Sequence, residues 1–233
     1  MKKIMSAITF IAVSSILAAC GGSGGSGGGS SPSGPVTSTL SFPLQAGFKS
    51  FIANGFSKAF TISDYCSGSG TRTTAPASTG ATFEGVSALS SVTTVTGSYT
   101  NCTPASFASS STSYVDTNYN LLGDVGTNYG VWLTPPTIPT SVSVGATAIA
   151  GTENYYTDST KATGKGRMGA SFVIEADTSS TAIVNLISKI YDVSSVLTAT
   201  QQSRYRMTST GALTPISIDL QYANGRHFLW TYN

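Results

Sequence analysis

The stretch GRMGASFVIEA (residues 166–176) decides the fold class, because apolar and polar side chains alternate along it. The apolar positions are Met168, Ala170, Phe172, Ile174 and Ala176. Arg167, Ser171 and Glu175 occupy positions between them. A period of two is that of a β-strand with one face on a core and the other toward solvent. The stretch therefore predicts a half-buried strand.

The chain after residue 176 contains further strand patterns. Residues 181–191 are apolar on both faces, as expected of a strand that is covered on both sides. In residues 212–222 we expect one row to face the core, namely Ala212, Ile216, Ile218, Leu220 and Tyr222. Short turns separate these runs, and connections this short join antiparallel neighbours. We therefore predict an antiparallel meander of at least five strands over residues 166–232, with a sixth at residues 148–156.

Residues 41–55 predict one short helix ahead of the strands. Ser41 can cap its start, Pro43 suits a first turn, and Gly55 supplies a left-handed stop. The apolar residues at helical spacing are Leu44, Phe48, Phe51 and Ile52. We expect this apolar stripe to lie on the sheet.

The middle of the chain gives weaker signals. Residues 56–65 predict a strand, and residues 83–100 predict either a strand pair or one long bent strand. Residues 67–80 show no periodicity and are predicted to form a loop. Prolines interrupt the short extended runs of residues 103–140, which we expect to be the least regular part.

These elements predict one mainly β domain over residues 36–233. A helix and a long meander can form a curved open sheet or half-barrel with the helix across its concave face, a sandwich, or a closed barrel. We expect the curved open sheet or half-barrel, or else the sandwich. In the order and length of its elements, the open arrangement resembles the Lol-type lipid-carrier lipoproteins. That resemblance implies a lipid-binding hollow and assigns no site residue.

The N-terminus has the layout of a bacterial export signal. Lys2 and Lys3 precede an apolar run over residues 4–17, which ends in Leu17-Ala18-Ala19-Cys20. This ending resembles the lipobox of bacterial lipoproteins. The resemblance implies a signal peptide over residues 1–19, cleavage before Cys20 and lipidation of its thiol. An ordinary signal peptide with a chance cysteine and an uncleaved anchor are the alternatives.

A Gly/Ser tether follows the anchor over residues 20–35, with an expected reach of about 20 Å. Gly21 stands where an Asp would retain a lipoprotein of enteric type in the inner membrane. We therefore expect a lipid-anchored outer-membrane protein, facing either the periplasm or the cell surface.

Charge argues against one class of partner. The sequence has 12 Lys and Arg and 10 Asp and Glu, and without Lys2 and Lys3 the two signs balance. Nucleic-acid binding needs clustered basic residues, so we expect no nucleic-acid partner. We also expect no cofactor.

The three cysteines divide into an anchor and a pair. With Cys20 taken by lipid, Cys66 and Cys102 remain in an oxidising compartment, where a disulfide is the expected state. A metal or redox site is disfavoured, because there is no C-x-x-C motif and His227 is the single histidine.

One short stretch partly matches a calcium loop. Asp116, Asn118 and Asn120 fit its first ligand positions, and Asp124 could contribute to an irregular site. However, Leu121 stands where the loop requires Gly. The alternative is a loop held by Asx turns, and we predict no metal.

Other polar residues fall on the predicted meander. Glu175, Arg204, Arg206 and Asp219 could form cross-strand ion pairs or, on a concave face, line a pocket. His227 could in principle serve a Ser-His-Asp triad, although a sheet position is the ordinary role of a lone histidine.

The function expected from these features is a non-enzymatic binding or structural lipoprotein of the cell envelope, attached to the membrane through its N-terminal lipid. Its ligand or partner could be an envelope protein, a glycan or a lipid. One alternative is a carrier of lipid or another hydrophobic ligand, which needs an apolar cavity of about several hundred Å³ under the helix. An envelope hydrolase is a further alternative.

Overall fold

A computed structural model describes residues 34–233. One helix and 13 strands lie in this range: α1 Leu44–Asn54, β1 Phe56–Asp64, β2 Gly68–Thr74, β3 Ser78–Phe83, β4 Val86–Tyr99, β5 Ser106–Val115, β6 Leu121–Val125, β7 Tyr129–Trp132, β8 Thr147–Tyr156, β9 Gly164–Ala176, β10 Thr181–Tyr191, β11 Leu197–Thr208, β12 Leu213–Tyr222 and β13 His227–Tyr232. The signal peptide, Cys20 and the tether up to residue 33 lie outside the described residues.

The sheet closes on itself. Every strand pairs with antiparallel neighbours, and β1 pairs with both β13 and β2. β2 in turn pairs with β4 from Gly68↔Tyr99 to Thr74↔Thr93, which completes a ring of all strands except β3. β3 continues the line of β2 along the other half of β4. A closed ring leaves no long strand edge unpaired.

The closure corrects the expected architecture. The protein is mainly β and antiparallel with one short N-terminal helix, as predicted, but the sheet is a 12-stranded barrel. A curved open sheet, a half-barrel and a sandwich are therefore all wrong. The ring closes through β2, in the stretch that we predicted to be a loop.

Glycines explain why β2 lacks an apolar period. Gly70 lies on the inner face directly opposite Phe60, whose ring covers it, so that a Cβ on Gly70 would lie 2.6 Å from Phe60 Cζ. Gly97, the partner of Gly70 on β4, is covered in the same way by Phe107 of β5. The apolar surface over β2 thus comes from neighbouring strands, and the strand's own sequence shows no hydrophobic alternation.

The C-terminal meander is confirmed, with six strands from β8 to β13. The even positions of β9 from Met168 to Ile174 are buried, and β10 is buried on both faces. The core-facing row that we predicted for residues 212–222 is wrong at its first residue. The register shifts between Arg204 and Tyr205 where β11 faces β12, so Leu213 packs on the core while Ala212 is exposed.

The middle of the chain is more regular than expected. Residues 86–99 form one long strand, and residues 106–132 form three further strands of the ring. The segment from residue 133 to residue 146, which contains the prolines, is free of named strands.

Helix α1 spans the predicted residues but begins differently. Ser41 does not cap it and instead bonds to the Ser141 hydroxyl. The helix ends at Gly55 (φ 61°), whose N–H donates to the carbonyl of Phe51, as predicted. Gly47 packs so closely on the backbone of Gly211 that a Cβ would collide with the Gly211 carbonyl.

The predicted disulfide joins Cys66 to Cys102, whose Cα atoms are 5.8 Å apart. Cys66 follows β1 and Cys102 follows β4, so the bond ties two loops at one end of the barrel. Because α1 leads into the start of β1, the helix lies at the opposite end.

The barrel interior is packed differently at its two ends. Toward the disulfide it is filled by an aromatic and aliphatic cluster of Phe60, Ile62, Val95, Phe107, Ile218 and Trp230, in which the Phe60 and Trp230 rings stack at 4.4 Å. Toward the helix, residues of β9, β10 and β11 pack with Phe42, Leu44 and Val142. The interior is incompletely filled at this helix end.

Candidate ligand-binding cavity

A cavity of about 150 Å³ lies between α1 and the barrel wall. The helix contributes its apolar stripe, Leu44, Phe48, Phe51 and Ile52. The wall contributes Trp132, Phe172 and Leu186 among others. An apolar cavity of about this volume can hold one benzene-sized group. The apolar stripe of α1 packs on the inner face of the sheet, as expected, and the cavity lies beside this contact.

The segment between β7 and β8 also lines the cavity, and hydrogen bonds hold both ends of the helix in place. The segment 133–146 contributes Pro136, Thr137 and Ile138 to the lining. It is tied to the start of the helix by a two-hydrogen-bond bridge between Phe42 and Val142, at 2.8 and 2.9 Å, and by the Gln45 N–H, which donates to the Pro139 carbonyl at 3.1 Å. At the other end of the helix, the Ala77 N–H donates to the Ile52 carbonyl at 3.2 Å. Hydrogen bonds therefore hold both ends of α1, one end to the segment 133–146 and the other to Ala77.

The polar part of the lining is concentrated on β2, β4, β5 and β11. These strands contribute Arg72, Thr74, Ser91, Thr93, Ser113 and Tyr205, and the other polar residues of the lining are Thr137 and Ser171. Most of these are neutral hydroxyls, which can orient a ligand through hydrogen bonds. Arg72 is the one charged residue of the lining, and it stays charged because its pKa lies far above neutral.

The Arg72 guanidinium lacks a full set of partners. Burial disfavours its charged form, but the hydroxyls of Tyr232 and Tyr205, its polar neighbours, more than offset this, and its pKa is raised. Its Nε is buried without a hydrogen-bond partner among residues 34–233. Its Cζ lies 5.5 Å from the centre of the Phe56 ring. The cation is thus held by aromatic rings and hydroxyls.

A second cation lies directly across from the first. Lys58 of β1 is the register partner of Arg72 on β2, so both side chains leave the same face of the sheet. Lys58 donates to the backbone oxygen of Asn233 at 3.3 Å. No ion pair within the described chain includes either residue.

The four calcium candidates do not form a site. The Asp116 carboxylate accepts bonds from the N–H groups of Asn118 and Asn120 and from the Asn120 side chain, at 2.7 to 2.9 Å. Partial burial acts to raise its pKa, but the bonds from Asn120 and Asn118 outweigh burial and the pKa is lowered. This is the Asx-turn arrangement. Across residues 34–233 no three His, Cys, Asp or Glu side chains come together as a metal site.

Asp124 turns inward and lies beside Glu153. Burial raises the pKa of Asp124, and burial together with the neighbouring Asp124 carboxyl raises the pKa of Glu153 well above its usual value. The Tyr155 hydroxyl donates to Glu153 at 3.1 Å. Two buried carboxyls in contact share one proton, so this pair carries at most one charge. It lies outside the cavity lining.

The polar residues of the meander form outward-facing ion pairs. Arg204 pairs with Glu175 at 3.2 Å, and Arg206 pairs with Asp177 at 2.7 Å. Both arginines alternate with Tyr205, whose side chain lines the cavity, so they lie on the outer face. Cross-strand pairing is confirmed for Glu175 with Arg204, whereas Arg206 pairs with Asp177 and Asp219 contacts His227.

His227 lies between two carboxylates. Its Nε2 is 2.9 Å from Asp219 and its Nδ1 is 3.4 Å from Asp64. Both ring nitrogens therefore have acidic partners, and the side chain is partly exposed on the sheet. No serine hydroxyl bonds to His227 within the described residues.

Comparison of the chain with family models, with curated proteins and with solved structures gives no match. Among residues 34–233, no helix has the length and apolar character needed to cross a membrane.

The sequence prediction missed Arg72 because it missed the strand that carries it. In isolation, Ser69-Gly70-Thr71-Arg72-Thr73 reads as a polar loop. Residues 68–74 are small or polar at every position, so the local sequence carries no alternation that could have located the strand.

Proposed function

We propose that this chain is a lipid-anchored outer-membrane lipoprotein that binds a small hydrophobic molecule inside its barrel, without chemical turnover. The observation that carries the proposal is the cavity between the apolar stripe of α1 and the barrel wall. Its volume of about 150 Å³ is smaller than a lipid carrier needs. The ligand is therefore the size of one ring or one short alkyl chain.

The composition of the cavity supports binding. Aromatic and aliphatic side chains from the helix and the wall surround a space that the fold leaves unfilled, while the disulfide end of the same interior is packed. An unfilled space lowers stability, because its lining loses dispersion contacts. A ligand of matching size would restore those contacts.

The lipobox-like motif supports the proposed location at the outer membrane. Cys20 at the end of the lipobox-like motif would hold the protein on the outer membrane, and acyl chains contribute about 0.8 kcal/mol per buried CH₂. The tether then lets the barrel stand away from the bilayer, so that the cavity is presented to the surrounding envelope space.

The experiment is calorimetric titration of the purified full chain with neutral one-ring and short-chain compounds, such as toluene and hexanol. Trp132 lines the cavity, so a change in its fluorescence reports occupancy. We expect saturable binding at one site. Absence of heat and of any fluorescence change with these and with their carboxylate analogues would refute the proposal.

A matched pair of variants locates the site. Ala170 is buried and lines the cavity, so Ala170→Leu would fill part of it and weaken binding about tenfold or more. Ala223 lies in an exposed turn, and Ala223→Leu adds the same atoms outside the cavity. Equal loss of binding in both variants would place the ligand elsewhere.

A further inference from the structure

We infer that the ligand is a small amphipathic monocarboxylate, with its apolar body against the α1 stripe and its carboxylate on Arg72. The inference rests on the proposed binding function and specifies the chemistry of the ligand. It follows from the one charged group in the lining and from the surroundings of that group.

The charges around Arg72 favour a bound anion. Within residues 34–233 the guanidinium has no carboxylate partner, and the residue directly opposite it on β1 is a second cation, Lys58. Like charges directly opposite each other destabilise a sheet. An anion bound in the cavity would offset this repulsion.

The position of Arg72 selects an amphipathic molecule. The same cavity is lined by Arg72, by the helix residues Phe48 and Phe51, and by Phe172 on the far wall. A bound molecule therefore meets a cation at one side and aromatic surface elsewhere. An ion without an apolar body would leave the aromatic surface uncovered, and a hydrocarbon would leave the cation unpaired.

The donors favour a carboxylate over a phosphate. A guanidinium presents a planar fork that matches two carboxylate oxygens. The nearby donors are hydroxyls, including those of Tyr205 and Tyr232 beside the guanidinium. Lys58 lies outside the lining and donates to Asn233, so one negative charge balances the cation that the ligand meets. A phosphate monoester would bring nearly two charges into a lining that holds one cation.

The volume sets the size of the apolar body. About 150 Å³ accommodates one ring or a short chain. Phenylacetate and hexanoate are suitable probes, and phenylacetamide and hexanamide are their neutral counterparts of nearly the same shape.

The test compares each acid with its amide by calorimetry on the purified full chain at pH 7.5. A charge-assisted bond to this half-buried cation is expected to make each acid bind about tenfold or more tighter than its amide. Arg72→Gln should remove this preference and leave the affinity for the amide within about twofold. Lys58→Gln, which alters the opposite cation, should reduce the preference less.

The outcomes separate the two proposals. Equal affinity of the wild-type protein for acid and amide would overturn the inference and leave the proposed function intact. Binding of neither class would overturn both. Preference for a phosphate monoester such as phenyl phosphate over phenylacetate would also overturn the inference. The wild-type comparison decides the matter even where Arg72→Gln fails to fold.

Discussion

The carboxyl groups of Asp124 and Glu153 lie side by side inside the barrel, over the backbone of Gly130. A Cβ on Gly130 would lie 2.6 Å from Asp124 Oδ1 and 2.7 Å from Glu153 Oε1. Neither oxygen has a hydrogen-bond partner among the described residues while both groups are ionised. A single proton between the two carboxyls satisfies both oxygens.

This pair makes stability depend on pH. The pKa of both groups is raised, chiefly by burial, so the folded chain holds a proton that the unfolded chain releases near pH 4. The resulting stabilisation is complete below that pH and is lost as pH rises through the folded pKa values. Glu153→Gln should therefore raise the melting temperature relative to wild type at pH 8, by several degrees, and change it little at pH 4. Thermal melts at both pH values measure this.

Glu84 is the matched control with the opposite sign. Hydrogen bonds from Lys161 and Tyr129 lower the pKa of Glu84, so its stabilisation is present above pH 4 and is lost as pH falls. Glu84→Gln should lower the melting temperature at pH 8 and have a smaller effect at pH 4. If Glu153→Gln and Glu84→Gln both lower the melting temperature at pH 8, the proposal that Asp124 and Glu153 share a proton is wrong.

Gly97 lies on a strand that closes the barrel, and it must be glycine because the Phe107 ring occupies the space of a side chain there. A Cβ on Gly97 would collide with the Phe107 ring and with the Ser69 carbonyl. We expect Gly97→Ala to reduce the free energy of unfolding by about 1–3 kcal/mol, measured by urea denaturation. Gly169 provides the comparison, because a Cβ there would have no other atom within 4 Å. Gly169→Ala should change the free energy of unfolding by about 0.5 kcal/mol or less.

The disulfide should contribute substantially to stability. Cys66 and Cys102 are 36 positions apart, and a closed loop of this length is worth about 4 kcal/mol on the chain-entropy account. We expect the double variant Cys66→Ser and Cys102→Ser to lose about this amount in denaturant unfolding. Non-reducing digestion of the wild-type protein should yield one peptide that joins the two cysteines, and free thiols at both positions would contradict the bond.

The anchor is tested by fractionation. If Cys20 carries the proposed lipid, Cys20→Ser should move the protein from the membrane to the soluble periplasmic fraction and abolish labelling by a fatty-acid analogue. Ser23→Ala, in the tether, should leave both unchanged. Continued membrane residence of the Cys20→Ser protein would show that another segment holds it there.

The expected strands and the observed ones differ for a physical reason. In β9 the inward residues are Met168, Phe172 and Ile174, so the strand carries its own apolar row and could be predicted. In β2 the inward positions include Gly70, and the apolar surface above it belongs to Phe60 of the adjacent strand. A pattern read along one strand cannot reveal a row that its neighbours supply.

The candidate site likewise has a part that the sequence could predict and a part that it could not. The helix and its apolar stripe were predictable, because the helical period is local. The role of Arg72 was not, since it depends on the pairing of β2 with β1 and β4, which places the cation opposite Lys58 and beside Tyr205. The sequence offers Asp124 as a calcium ligand, and only the fold shows that its partner is Glu153 on the inner face.

The sequence by itself determined the antiparallel meander, the helix, the pairing of the two cysteines and the near balance of charge, because each depends on local periodicity or on composition. The tertiary structure decided that the sheet closes, that the helix covers an unfilled end and that this end is lined by a cation with no acidic partner among residues 34–233. Closure brings residues 68–74 and 93–99 together across the chain, and such pairing depends on the shape of whole strands rather than on the residues within either one.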